Sequence, residues 1–508
     1  MRWILLVASV AVTAGFTPVP RPNAVLRRRP VTTIPNQPLR PVTTIPNQPL
    51  QPPQRHALRM SAADGADTLF GLPRTSVAQP LGLLLLAQFL LFIGVGAVIP
   101  VIPLLGKAIG LSSATNGLVI GSSSLALLVL ARPAGRWADE ARKPVMIAGM
   151  GIIAVSDLGT SFADSLLPLL LARLGLGAGR CISESGERGM LADIASLAPE
   201  LRGRALAAQQ AVSALGIAIG APAGGLVVEA YGPRAAFLCV SAAACTTAAL
   251  YFFLPETLAP AAADTPARRT PAALRRKEQT APEEEKGDAD WGLLLADDRW
   301  RGLALCESGL RFGYACKIAA VPLLATAVLP GGAAGAGALL SAAGLSGLVG
   351  APAGGWLTDR VGARVTCVGS GAVAAVALAL VPVALDPSLA AAAAAAGLAP
   401  PWLTYLPDGA PFAALILLWS TAVSAQGIAL TACAQSLAPR GAVATSMALP
   451  RAIGDGTYVV APFLLGVVAD SAPASSGLEC AVAGGFSLLG VAALGFLGGR
   501  GEQAARQT

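Results

Sequence analysis

The chain has one histidine in 508 residues, His56, and it falls within the first sixty. From residue 61 onward nothing can serve as an imidazole relay, a Ser-His-Asp triad or a histidine metal site. Any proton chemistry falls to carboxylates. Charge is scarce as well: 13% of residues are charged and 54% hydrophobic, where a soluble domain carries about 25% charged. That balance belongs to a chain built for lipid. The net charge of +7 gives no support to a nucleic-acid partner, because eight arginines and no acid lie in residues 1–60. Without them, 28 basic residues face 29 acidic ones. The eight cysteines (Cys181, Cys239, Cys245, Cys306, Cys316, Cys367, Cys433, Cys480) are scattered through apolar segments with no C-x-x-C. They read as small core hydrophobes, not metal ligands or disulfides. The D-x-x-x-D acids with which a membrane-embedded prenyl or lipid transferase would hold a metal-bound diphosphate are also missing. No metal or cofactor is expected, and no enzyme activity.

What is present begins with a leader. Met1-Arg2 precedes an apolar run, Trp3–Val12, too short to span a bilayer, and small residues Thr13-Ala14-Gly15 lead to Phe16. This fits a secretory signal peptide. The proline-rich, basic, acid-free stretch that follows includes an 11-residue direct repeat, Arg29–Leu39 and Arg40–Leu50. It has no core-forming pattern and is expected to be disordered. A signal followed by such a stretch, with Phe16 at the first junction and Leu58-Arg59-Met60-Ser61-Ala62 at a second, resembles the bipartite transit peptide of algae with complex plastids. The alternative is a secretory signal with a disordered tail.

Twelve apolar segments follow, at about 81–105, 112–134, 144–162, 165–190, 206–229, 233–254, 301–329, 333–356, 365–385, 411–436, 443–468 and 478–498. Each approaches the roughly 20 residues a transmembrane helix needs. Basic residues collect in alternate loops: Arg132, Arg136, Arg142, Lys143, Arg202, Arg204, Arg360, Arg364 and Arg440 on one side, against Lys107 and Arg234 on the other. The arginine-rich loops, with the termini, are therefore expected to be cytosolic or stromal. The domain boundaries follow: presequence 1–60, short linker 61–80, six-helix bundle 81–258, solvated central loop 259–298, second bundle 299–498 and tail 499–508. The alanine run Ala390–Ala396 reads as a short helix in an outer loop, not a crossing.

The two bundles echo each other. Pro133-Ala134-Gly135 and Pro352-Ala353-Gly354 are 219 positions apart, as are Pro103-Leu104-Leu105 and Pro322-Leu323-Leu324. Ser196–Pro199 recurs as Ser436–Pro439, and Ala221-Pro222 as Ala461-Pro462. Duplicated bundles with a site between them are a transporter plan.

Ionisable groups inside a crossing are site candidates, because lipid makes them costly. The fourth crossing holds Arg173, Arg180, Glu184, Glu187 and Arg188. At helical pitch the first four share about 60° of arc, and Arg188 widens it to about 100°. Arg180/Glu184 and Glu184/Arg188 are i,i+4 pairs. The stripe faces a central cavity or forms a static ion-pair ladder, with Glu187 and Arg188 snorkelling at the surface. The seventh crossing offers Glu307, Arg311 and Lys317, and the 219 offset maps Glu307 onto Gln88. Lys317 is deepest and has no sequence-local partner, which favours an anionic ligand or a carboxylate across the cavity. The eleventh adds Arg451 and Asp455, again i,i+4. With histidine absent, Glu184, Glu307 or Asp455 is the expected proton site.

Five motifs resemble the major facilitator superfamily over roughly 80–498. Gly355, Asp359, Arg360, Gly362 and Arg364 match its G-x-x-x-D-R-x-G-x-R loop. The first copy keeps Gly135 and Asp139, has Glu140 in place of the usual base, and lacks a residue before Arg142-Lys143. Arg173, Gly177 and Gly179 match R-x-x-x-G-x-G in the fourth crossing. In the fifth, Gly216, Gly220, Pro222, Gly224 and Gly225 are similar to the antiporter motif with its proline displaced by one position. Leu254-Pro255-Glu256-Thr257 and Arg202-Gly203-Arg204 are also typical. The resemblance implies an all-α fold of twelve transmembrane helices in two pseudo-symmetric bundles, working by alternating access, with the repeated loop as hinge and gate. The expected activity is secondary active transport of a small organic solute, as a proton-coupled antiporter or as an organic-anion or metabolite carrier of a plastid membrane. A non-transporting sensor of the same fold is the alternative. The expected partners are a small-molecule solute, protons and the lipid bilayer, with the chain a monomer.

Overall fold

The computed structural model describes residues 68–69, 72–73, 77–197, 202–257, 291–397, 409–439, 443–473 and 476–507. The leader, most of the central loop and Arg440 lie outside the described residues. The chain divides into two compact units, residues 1–75 and 76–508. In the first, Thr68–Leu69 (β1) pairs antiparallel with Leu72–Pro73 (β2), where the sequence suggested plain linker.

The described part of the second unit is helical. Its first half comprises α1 (Gln79–Ala108), α2 (Ser113–Glu140), α3 (Arg142–Ser161), α4 (Leu166–Leu197), α5 (Arg202–Tyr231) and α6 (Pro233–Phe252). A short helix, α7 (Trp291–Ala296), falls at the end of what the sequence suggested was solvated loop. The second half comprises α8 (Asp298–Ala319), α9 (Val321–Val328), α10 (Gly332–Val361), α11 (Ala363–Ala379), α12 (Val381–Leu385), α13 (Pro387–Ala395), α14 (Ala410–Leu437), α15 (Val443–Ser471) and α16 (Leu478–Gln507). The alanine run lies in α13, and α16 continues through the expected tail.

Among the described residues eleven helices are long and apolar enough to cross a membrane, and α8 with α9, bent by 44°, makes a twelfth when the two count as one span. The break at Ala320 has a local cause. Pro322 cannot donate a backbone hydrogen bond, and its ring crowds the carbonyl one turn earlier. Asp297 caps α8 by accepting the Arg299 N–H at 2.8 Å, which satisfies one of the orphan donors of a helix start. Each half has its own core. Met146, Leu169, Phe237 and Tyr251 are fully buried in the first, and Phe412 and Trp419 in the second, where Phe312 stacks on Phe486 at 4.3 Å. Apolar side chains such as Val129, Val155, Leu171, Val349 and Leu489 stay exposed, as expected of a lipid-facing belt.

The halves meet along two seams, α2 against α15 and α5 against α10. Both rely on missing side chains. Any Cβ at Gly117 or Gly466 would strike the backbone of Pro462 or Ser113, and one at Gly225 or Gly337 the backbone of Ala333 or Ala221. Small residues allow such close approach in a membrane, where the hydrophobic effect gives no help. The Asp470 carboxylate adds a polar clasp, accepting the Ser113 and Ala114 N–H groups at 2.8 and 2.9 Å from the other half. All these contacts lie at the face opposite the arginine-rich loops.

Candidate functional site

Between the halves lies a cavity of about 390 Å³. Its wall is largely apolar, with Phe92, Val95, Ile99, Ile120, Leu127, Met150 and Ile153 from the first half. Arg173, Arg180, Glu184 and Glu187 of α4 open onto it, as do Arg311 and Tyr314 of α8 and Asp455 and Tyr458 of α15. The seams close it at one face. Towards the arginine-rich face, Arg188 and Arg451 are 56% and 62% exposed. The state is closed on one side only.

The α4 stripe does face the cavity. Glu184 is held between two arginines, with Arg180 at 3.0 Å and Arg188 at 2.8 Å. Arg173 is used differently. It is 3% exposed, pairs with Asp157 at 3.1 Å, bonds Thr160 Oγ1 at 2.8 Å and lies over the Phe237 ring at 4.9 Å. Sequence reasoning missed Asp157, although it is an acid inside the third crossing, about one turn from its end, the same signal that picked out α4. Glu187 is 4% exposed and does not snorkel. It accepts hydrogen bonds from Ser183 and Tyr251, and from Gln88 of α1. Only Arg188 reaches the surface as expected.

Across the cavity a second cluster forms. Arg311 bonds Glu307 at 2.8 Å and lies 3.8 Å from Asp455, which Arg451 approaches to 3.9 Å. Gly454 lets α15 come against this pair, since a Cβ there would meet Arg311 Nε and Glu307 Oε1 at 2.8 Å. Lys317 departs from its expected place. Its ammonium sits 5.8 Å from the Trp419 ring in the second-half core, and no carboxylate meets it among the described residues. Of the two partners expected for it, an anionic ligand or a carboxylate across the cavity, the carboxylate is not met, and a cation–π contact stands there.

The repeated loops lie away from the cavity and differ in construction. The motif-matching copy turns on Gly362, with φ +95°, a conformation that side chains disfavour. Its Arg360 stacks on Trp356 at 4.2 Å and Asp359 is exposed. The altered copy turns on Ala141 in extended conformation. Arg142 bonds Asp139 at 2.9 Å and Asp193 of α4 at 3.1 Å. Glu256 accepts the Arg142 and Lys143 N–H groups at 3.2 and 3.0 Å, and the Lys143 ammonium reaches the Phe252 carbonyl. A carboxylate at a helix start is favoured by the helix dipole and the free N–H groups. The missing residue thus leaves a charge latch inside the first half, built from α4 and the Pro255-Glu256-Thr257 turn. Gly135 and Gly355 have open space around them, whereas Gly216, Gly220 and Gly224 let α5 pack on α1 and Gly225 lets it pack on α10. Pro222 is accommodated within α5.

The family model described as Major Facilitator Superfamily matches residues 84–462. Multidrug resistance protein 2 of Bacillus subtilis (strain 168) is 30% identical over 172 residues, 34% of this chain and 42% of that protein. Quinolone resistance protein NorA of Staphylococcus aureus is 32% identical over 109 residues, 21% of this chain and 28% of that protein. The matches thus span less than half the length of these relatives. Among solved structures, a bacterial homologue of the human lysosomal transporter Spinster, inward-facing and unoccupied, superposes with TM-score 0.61 at 16% identity over 83% of this chain and 96% of that one. The nucleoside transporter NupG superposes with TM-score 0.59 at 12% identity over 82% and 98%.

Proposed function

The chain belongs to the major facilitator superfamily, and from that premise we propose that it carries a small organic solute across its membrane by alternating access, in exchange for protons. The observation that carries this reading is the cavity: it lies between two bundles, is sealed at one face, and has ion-pair clusters on opposite walls. Such pairs can open to meet charges on a solute and close again as the bundles rock, at the cost of exchanging one partner for another. The large apolar share of the wall and the resistance-protein names of the bacterial relatives support efflux of an amphipathic solute. A second reading, an organic-anion carrier, has its own support. Four arginines (Arg180, Arg188, Arg311, Arg451) face three acids (Glu184, Glu307, Asp455) across the two clusters.

The test is a solute screen in proteoliposomes with and without a pH gradient, on the parent chain and on Glu184→Gln, Glu307→Gln and Asp455→Asn combined. Each removed charge leaves an arginine unmatched at the cavity, so the triple variant is expected to lose at least about 100-fold in rate, two to three kcal/mol of misplaced charge. Undiminished transport in that variant would sink the ion-pair reading. The site residues on α4, α8 and α15 belong to this proposal, as does the hinge role of the repeated loop. For location we propose a plastid membrane reached through the leader, with the arginine-rich loops facing the stroma.

A further inference from the structure

Glu187 stands apart from every other acid on the cavity wall. Asp157, Glu184 and Asp455, and Glu307 beside them, each have an arginine partner, whereas the groups that hydrogen-bond to Glu187 are all neutral. Its Oε1 accepts the Ser183 hydroxyl at 2.6 Å and the Tyr251 hydroxyl at 2.8 Å, and its Oε2 accepts the Gln88 amide N–H at 3.2 Å. Burial opposes a lone charge here, and three donors favour it, so neither protonation state is locked by an ion pair.

The second observation concerns Gln88, which is 1% exposed. Its Oε1 is buried with no hydrogen-bond partner, an arrangement that costs free energy unless it has a use. A primary amide presents a donor and an acceptor at nearly the same place and exchanges them by turning over. With Glu187 charged, Gln88 donates its N–H. With Glu187 protonated, the new O–H has an acceptor as soon as the amide turns. The cage can therefore satisfy both states with one small rotation.

Resting on the transport reading above, we infer that Glu187 is the group that takes up and releases the exchanged proton, with the Gln88 amide turning over to match each state. The charged groups around it leave that role free. On its own helix, Glu184 and Arg180 act on it through space without bonding it, since Arg180 and Arg188 are both bonded to Glu184. From α3, Arg142 reaches the α4 backbone at Gly189 but is engaged by Asp139 and Asp193. From α6 comes Tyr251, from α1 only the Gln88 amide. Arg132 and Arg136 of α2 are exposed, and Arg311, Arg451 and Asp455 belong to the cluster on the opposite wall. Glu187 lines the cavity, so its proton exchanges with whichever face the cavity opens to.

The experiment uses the full chain in proteoliposomes and dicyclohexylcarbodiimide, an apolar reagent that forms an N-acylurea with a protonated carboxyl. Peptide mapping is expected to place the adduct on Glu187, with labelling falling about tenfold per pH unit above its midpoint. Gln88→Leu removes the acceptor for the protonated form and is expected to move that midpoint, as is Tyr251→Phe, which removes a donor to the charged form. In Glu187→Gln, solute movement no longer responds to a pH gradient. An adduct on Glu184, Glu307 or Asp455 with none on Glu187, labelling that does not vary with pH, or a midpoint unmoved in Gln88→Leu would each overturn the proposal. The labelling arm needs only the unmutated chain, so a variant that fails to fold does not remove the test. Labelling as expected in a chain that moves no solute overturns the transport reading alone.

Discussion

At the scale of single residues, buried charge divides by what compensates it. Arg173 and Asp157 are 3% and 1% exposed and 3.1 Å apart, a pair at the base of the cavity wall whose two partners both come from the first bundle. Removing one partner strands the other, which costs about 3–5 kcal/mol, whereas replacing both with apolar groups is often close to neutral. Arg173→Leu is therefore expected to lower the thermal unfolding midpoint in detergent sharply, and Arg173→Leu with Asp157→Leu to recover most of the loss. Equal losses in the two would show that the pair itself supplies the stability. The α4 stripe was legible in the sequence because a regular helix fixes which residues share a face. What each member pairs with was not. Asp157 lies 16 positions from Arg173, and Gln88 and Tyr251 lie 99 and 64 positions from Glu187, so no periodicity links them.

At the scale of elements, the closed face depends on two helix pairs meeting backbone to backbone. The sequence marked Gly216, Gly220, Gly224 and Gly225 as one motif, but the structure splits it: three positions admit α1 and the fourth admits α10 of the other half. Gly220→Leu would drive a side chain into the Ile93 carbonyl and is expected to cost about 1–3 kcal/mol or more of stability, seen as a lowered unfolding midpoint. An unchanged midpoint would remove the packing account of this position. Asp470 is different, because its clasp on the start of α2 crosses the seam and must break for that face to open. A helix cap of this kind contributes about 1 kcal/mol, so Asp470→Ala should shift the balance towards opening about fivefold. With Ile120→Cys as a reporter on the cavity wall, an impermeant thiol reagent applied at the closed face is expected to react correspondingly faster. No change in rate would show that the glycine contacts alone hold the face shut.

At the scale of the whole molecule, twelve crossings and two repeated halves were readable from hydropathy, loop arginines and a constant sequence offset. The symmetry is looser in three dimensions than in sequence. Pro103 sits inside the continuous helix α1, while its counterpart Pro322 follows a 44° break in the seventh crossing. The degenerate loop copy is latched by Asp193 and Glu256, while the copy that keeps the motif stacks Arg360 on its own tryptophan. Location belongs to this scale too, because it decides which gradient the proposed carrier meets. Residues 1–60 fused to a fluorescent protein are expected to direct it to the plastid of an alga with a complex plastid. Accumulation along the secretory pathway would reject the plastid proposal and leave an ordinary signal.

The sequence alone determined the membrane class, the helical fold, the duplicated plan and the helices that carry charge. Each of these follows from composition or from a local repeat, and a bilayer enforces both by demanding apolar length and internal backbone hydrogen bonds. Only the tertiary structure decided which charges meet, that Lys317 rests on Trp419, that Glu187 sits in a cage of neutral donors, and which face of the cavity is closed. Those are contacts between segments far apart in the chain. They are set by how closely helices approach, and that depends on glycines and seams whose partners no single stretch of sequence contains.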